Sequence, residues 1–314
     1  MEKIFLGIEI GGTKLQIGLG DSSAKILRRK RFFVNPKKGG AGIRLQIENE
    51  LKKLRAENIL SAIGVGFGGP VDWKTGKICC SHQIEGWSDF ELGNWLRAKT
   101  GLPVAIDNDA NVAALGEAIH GAGIGFNPVF YVTLGSGVGG GLVADGKIYR
   151  GAKPGESEIG HLRLDRDGTT LESRCSGWAV DKKFREAKIK NSKSALAKLN
   201  LYVQTGEAKF LKAALEQNDF DAQKILQETA EDLAFGLSHV VHLFHPEIII
   251  LGGGLSLVGE PLRSAVETTL QKFVMTAFLP APKISLAKLG EDSVPVGALE
   301  LAQAAWARDV SGEK

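Results

Sequence analysis

Hydrophobic positions along the chain fall into short runs, and two of these runs are interrupted in the same way. Residues 4–10 and 15–19 are rich in apolar and β-branched side chains and enclose Gly11-Gly12-Thr13-Lys14. Residues 130–134 and 142–144 enclose Gly135-Ser136-Gly137-Val138-Gly139-Gly140-Gly141. Both patterns predict strand, tight turn, strand. Between them, 25–34 reads as a third strand, and Ile43, Ile47, Leu51 and Leu54 share one helical face. A buried strand over 60–67 enters Gly68-Gly69-Pro70, followed by a helix over 89–99, a short strand over 103–106 and a helix from Asn108-Asp109 to about His120. Three strands followed by strand–helix alternation predict an α/β class with a mixed sheet and helices on its faces.

From Asn127 the pattern starts again, which reads as a weak internal duplication. Residues 180–245 are strongly helical, and the amphipathic run 221–245 is ended by Pro246. A wholly apolar strand over 248–251 leads into Gly252-Gly253-Gly254 and further helix, and 296–306 is an alanine- and leucine-rich tail helix. At 314 residues the chain is long enough for two lobes, with a boundary expected near residues 118–125.

Charge and cysteine usage narrow the class. A net charge of +3 is too small to point to nucleic acid or an anionic membrane as partner. The cluster Arg28-Arg29-Lys30-Arg31 reads as a solvated strand edge that discourages pairing. Three cysteines, two of them adjacent (Cys79 and Cys80), cannot build a disulfide framework and fit a reducing cytosol. No run is long enough to span a bilayer, so a soluble, cytoplasmic protein is expected.

The 40 glycines cluster where strands end. Without a Cβ, such turns let backbone N–H groups close on an anion, with Thr13, Lys14, Thr133 and Ser136 as side-chain donors. Two such turns facing each other would hold a polyphosphate. Glu9, just before the first turn, can hold Mg²⁺ directly or through water, or can be an ordinary outward-facing strand residue. Asn108-Asp109 sits at a strand's carboxyl end, where Asp109 can take a proton from a hydroxyl and Asn108 can orient the same substrate. Both residues also suit a plain helix N-cap. Glu158 and His161, three apart, can reach one polar ligand, or serve as a capping Glu and a surface His. Gly252-Gly253-Gly254 is either a strand–helix turn or a flat surface for an adenine. Gly135, Gly137 and Gly140 satisfy G-x-G-x-x-G, but a strand rather than a helix follows, so a dinucleotide fold is not expected.

Taken together these segments resemble the ROK family of sugar kinases and repressors, within the actin-like ATPase superfamily. The carriers are Ile8 through Lys14, Asp107-Asn108-Asp109-Ala110-Asn111 with Ala113 through Glu117, Leu134 through Gly141, Gly155 through His161, and Ile249 through Gly254. The resemblance implies a two-lobed fold: residues 1–118 with the returning helix of 296–314, and a larger lobe of 119–295. It implies closure on a hexose and ATP-Mg²⁺, with Asp109 as the base for the sugar's 6-hydroxyl. Gln83, Asn108, Glu158, His161 and Glu172 align with residues that hold the sugar. Gly11, Gly12, Thr13 and Lys14, together with Thr133, Gly135, Ser136, Gly137 and Gly139, align with the phosphate turns, and Gly252, Gly253 and Gly254 with the adenosine. A homodimer is the family's usual state.

The chain departs from the family pattern in places. Glu9 replaces an Asp, Gln83 replaces an Asn, and the usual Pro-Gly-Pro reads Gly68-Gly69-Pro70, which is expected to loosen that loop. The family's zinc run, C-x-C-G-x-x-G-C, is missing: 165–170 joins directly to Leu171-Glu172, with only Cys175 nearby. Structural zinc takes four ligands, so no zinc is expected and His161 should be held by hydrogen bonds alone. The activity implied is ATP-dependent phosphorylation of a hexose, glucose first, with an N-acetylhexosamine or fructose as alternative acceptor. A non-catalytic sugar-sensing regulator is the competing class. Family repressors carry a DNA-binding module ahead of the first glycine turn, whereas only Met1, Glu2 and Lys3 precede the first strand here, so the enzyme is expected.

Overall fold

The computed structural model describes residues 3–81, 84–153, 155, 157–199 and 206–312. The chain forms two compact units: one of Met1–Ile124, Gly146–Glu156 and Glu291–Lys314, the other of Gly125–Asp145 and Ser157–Gly290.

In the first unit, β1 (Ile4–Ile10) and β2 (Lys14–Gly20) pair antiparallel around the first glycine turn, with Glu9 opposite Gln16. Strand β3 (Ile26–Phe33) pairs antiparallel with β2 and is exposed along most of its length, so its run of basic residues does line a solvated edge. Helix α1 (Gly39–Glu57) precedes β4 (Leu60–Phe67), which runs parallel to β1. A two-residue-per-strand hairpin, β5 (Val71–Asp72) and β6 (Lys77–Ile78), leads to α2 (Leu92–Thr100), β7 (Val104–Asn108) and α3 (Asp109–His120). The sheet order is β3-β2-β1-β4-β7.

Helix α2 starts three residues later than the sequence pattern suggests. Asp89 takes a left-handed turn (φ 60°), and Trp87 and Phe90 stack edge to face at 5.5 Å. Strand β7 extends two residues further than expected, because Asp107 and Asn108 continue the ladder opposite Gly66 and Phe67. That extension carries the strand directly into the N-terminus of α3.

The second unit repeats the opening theme. Strands β8 (Val129–Leu134) and β9 (Val138–Ala144) pair antiparallel around the second glycine turn. Strand β10 (Lys147–Ile148) belongs to the first unit and packs near α3. The second unit continues with α4 (Leu171–Cys175), α5 (Gly177–Lys190), α6 (Ala195–Leu199), α7 (Leu211–Glu216) and α8 (Phe220–Phe244). His245 ends α8 in a left-handed conformation, one residue before Pro246. The unit closes with β11 (Ile248–Gly252), α9 (Glu260–Leu270) and β12 (Lys283–Leu286), giving strand order β9-β8-β11-β12. Every residue of β11 is buried, as a central parallel strand requires.

Helix α10 (Ser293–Ser311) belongs to the first unit and packs on α3, β4 and β1. The approach is so close that a Cβ on Gly64 of β4 would lie 1.9 Å from the Ala298 carbonyl oxygen. On the other face, Ile43, Ile47, Leu51 and Leu54 of α1 join Leu6, Ile8 and Ile10 in one core. Covered on both faces, β1 is buried at six of its seven positions, and Glu9 with it, so Glu9 is not an outward-facing strand residue.

Candidate active site

In the first unit the candidate residues converge on Gly68. Its N–H donates to the Ile10 carbonyl at 2.9 Å, tying the Gly68-Gly69-Pro70 loop to the start of the first glycine turn. A Cβ at this position would lie 3.3 Å from Oδ2 of Asp109 and 3.6 Å from Cα of Gly11. The carboxylate and the turn are therefore separated by little more than one backbone thickness. The loop is tied by two further bonds: Asn108 Nδ2 donates to the Gly69 carbonyl (3.2 Å), and Cys79 N–H donates to that of Pro70 (3.0 Å).

Asn108 and Asp109 owe their positions to one junction. Asn108 is the N-cap of α3, its Oδ1 accepting from the N–H groups of Ala110 (2.9 Å) and Asn111 (3.4 Å). With Oδ1 used for the cap and one Nδ2 proton given to Gly69, a single amide proton remains for a ligand. Asp109 is the first residue of the helix and half-buried.

The first turn is closed by Gly11 N–H donating to the Lys14 carbonyl at 3.0 Å, with Gly12 half-buried and Thr13 exposed. Glu9 accepts from Gln16 Nε2 at 2.5 Å and lies 3.1 Å from Lys14 Nζ. Gln16 is held in turn by Arg31 Nε at 2.7 Å. Beside the turn a small pocket is lined by Gly11, Gly12, Phe67, Gly68, Ser81 and Trp87, among others. The Trp87 indole N–H is buried with no partner among the described residues. Trp87 is not recognisable as a pocket wall from sequence alone. Gln83 lies outside the described residues.

In the second unit Glu172 is bound to the second glycine turn. Its Oε2 accepts the Val138 N–H at 2.9 Å, and a Cβ on Gly137 would meet that oxygen at 2.4 Å. Gly135 N–H donates to the Gly137 carbonyl (2.9 Å), and the Gly135 carbonyl accepts from Gly177 at the start of α5 (2.7 Å). Thr133 and Gly139 face each other in the β8–β9 ladder that carries the turn, and Ser136 lies at its tip. Gly252 packs against the Tyr131 hydroxyl, and Gly253 (φ 80°) against the Leu134 backbone, with no room for a side chain. Gly254 opens the short 3₁₀ turn that follows.

Glu158 and His161 are exposed and bracket one 3₁₀ turn, the His161 N–H donating to the Glu158 carbonyl (3.0 Å). Among the described residues no hydrogen bond to the His161 ring is seen. What orders the segment instead is a small hairpin. Leu171 N–H donates to the Leu162 carbonyl (2.9 Å) and Leu164 N–H to that of Thr169 (2.8 Å). Asp165 Oδ1 accepts from the N–H groups of Asp167 and Thr169, and bonds with Thr169 hold its carboxyl below the usual range. A Thr170–Ser173 capping box then starts α4 and sets Glu172 in its first turn. Among the described residues no three His, Cys, Asp or Glu side chains sit close enough to hold a metal.

Two α/β units, each opening with a strand pair around a glycine turn, describe the actin-like architecture of sugar kinases. The sequence matches the ROK family over residues 5–305, and the chain belongs to that family. A glucokinase of Halalkalibacterium halodurans is 31% identical, covering 94% of this chain and 94% of its own length. A glucokinase of Thermotoga maritima is 29% identical, covering 94% and 96%. Among solved structures, a ROK family glucokinase from Streptomyces griseus in complex with glucose and AMPPNP aligns with a TM-score of 0.84 at 30% identity. That alignment covers 97% of this chain and 100% of the other.

Proposed function

We propose that this chain is an ATP-dependent hexose kinase that phosphorylates the 6-hydroxyl of glucose. The observation that carries the reading is the meeting at Gly68, where Oδ2 of Asp109 and Cα of Gly11 lie 3.3 and 3.6 Å from the place a side chain would take. A base for an alcohol and an anion-binding turn at that separation suit transfer of a phosphoryl group to a hydroxyl. The relatives named as glucokinases support the choice of sugar.

Asp109 accepts the proton of the attacking hydroxyl, and Asn108 orients the sugar with its remaining amide proton. Glu158, His161 and Glu172 are assigned to other hydroxyls, and so is Gln83 on the family resemblance alone. The N–H groups of Gly11 and Gly12, with Thr13 and Lys14, bind phosphate oxygens. The turn of Gly135, Ser136, Gly137 and Gly139 does the same with Thr133, while Gly252, Gly253 and Gly254 border the adenosine. Glu9 is the residue that would hold Mg²⁺: two of the four lone-pair positions on its carboxylate are taken by Gln16 and Lys14, leaving two for the ion or its water. Bound there, Mg²⁺ supplies neutralisation of phosphate charge. We assign the protein to the cytoplasm, as a homodimer.

A coupled ADP-release assay over a panel of hexoses tests the reading. The expected result is ATP-dependent turnover, fastest on glucose. Turnover on no hexose would overturn the kinase assignment, and faster turnover on an N-acetylhexosamine or fructose would overturn the choice of sugar.

A further inference from the structure

The residue before the Asn108-Asp109 pair is itself a buried carboxylate, and Asn108, Asn111 and Arg150, which donate to it, belong to the first unit. Asp107 is 3% exposed. Its Oδ1 accepts the backbone N–H of Asn108 (2.8 Å) and Nδ2 of Asn111 (3.0 Å). Its Oδ2 accepts Nη2 of Arg150 at 2.6 Å and Nε at 3.2 Å. Four donors therefore converge on one carboxylate, and Arg150 alone among them brings a positive charge.

Arg150 is placed to do this by two further contacts. Its guanidinium lies 4.6 Å above the Trp73 ring, and three residues on, Lys153 Nζ pairs with Asp72 Oδ2 at 2.5 Å. The segment after β10 is thus pinned at two points to the β5–β6 hairpin and the end of β7. A planar group that stacks on an indole while two of its N–H groups reach one oxygen is something lysine does not reproduce.

Resting on the reading of Asp109 as the base, we infer that Arg150 is a positioning residue for the phosphoryl transfer, acting through Asp107. Asp107 holds the Asn108 N–H and the Asn111 side chain, and Asn108 caps the helix whose first residue is Asp109. The direction of the Asp109 carboxylate is therefore set by a junction whose central charge Arg150 neutralises. Without Arg150 the buried charge of Asp107 is left to neutral donors, and the junction must relax or draw in solvent. A displacement of well under 1 Å at a base is enough to depress the chemical step.

Steady-state kinetics on glucose and ATP test this with Arg150→Met, Asp107→Asn and the double variant. Arg150→Met should lower kcat about ten- to a hundredfold while leaving the KM for ATP unchanged. The double variant should be no slower than the slower single variant, because both substitutions break one path. A kcat for Arg150→Met within twofold of the parent, a change in KM alone, or multiplying effects in the double variant would each overturn the inference. Should Arg150→Met fail to fold, Arg150→Lys keeps the charge without the two-pronged contact, and its kcat should fall severalfold; an unchanged kcat again overturns it. Asp109→Asn assayed alongside separates the two readings. If Asp109→Asn stays active, the base assignment has failed; if it is inactive while Arg150→Met is normal, only the role of Arg150 has failed.

Discussion

Gly68 and Asp109 are packed so that a methyl group added to the glycine would sit 3.3 Å from Oδ2 of the carboxylate. The same methyl would lie 3.4 Å from the Ile10 carbonyl oxygen, so the strand before the turn is in contact with it as well. Gly68→Ala should therefore fold but displace the carboxylate by a few tenths of an ångström. We expect kcat to fall by about tenfold or more, with a stability cost of roughly 1–3 kcal/mol. Kinetics paired with thermal melting check this, and a kcat equal to the parent's would show that Asp109 needs no such constraint.

Glu172 has two duties that substitution can separate. In its proposed role toward the sugar it would act through its charge, whereas toward Val138 it accepts the backbone N–H at the second glycine turn. Glutamine keeps an acceptor oxygen and loses the charge; alanine loses both. Glu172→Gln should raise the KM for glucose and spare the KM for ATP, while Glu172→Ala should raise both. Equal effects of the two substitutions on the KM for ATP would show that the Val138 bond does not matter to the turn.

Sequence was informative wherever one local rule governs. The glycine turns, the cap at Asn108, the basic edge of β3 and the end of α8 before Pro246 all follow from residues within a few positions of each other. It was silent where partners are distant in sequence. Arg150 and Asp107 are 43 residues apart, and Glu172 and Val138 are 34 apart, with no periodicity linking either pair. Glu9 was misjudged as a possible outward residue because alternation describes a strand covered on one face, and α10 covers the second face of β1. The bonds that tie Gly68-Gly69-Pro70 to Ile10 and Asn108 are likewise invisible in the loop's own residues.

We expect the hairpin of residues 162–171 to order that segment without a metal. Zinc chelation by 1,10-phenanthroline, with Mg²⁺ in excess, should leave activity unchanged, whereas Asp165→Ala should raise the KM for glucose by loosening the loop that precedes Glu172. Loss of activity on chelation, restored by added Zn²⁺, would contradict this.

Cys175 offers a pH signature in the second unit. Burial pushes its thiol from the usual 9.0 up to about 12. A raised folded value means that the stability linked to this group is whole below pH 9 and is lost as pH climbs from 9 toward 12. Urea midpoints across that range should fall more steeply for the parent than for Cys175→Ala. In the native protein at pH 8 the thiol should also resist alkylation while the half-exposed Cys79 and Cys80 react. Rapid labelling of Cys175 would contradict its burial.

The proton acceptor is the centre of the account, and Asp109→Asn probes it with almost no change of shape. Turnover of glucose should drop by about 10²–10⁴-fold, while calorimetry shows glucose bound with an affinity near that of the parent. Turnover within a few-fold of the parent, with binding intact, would mean that another group takes the hydroxyl proton.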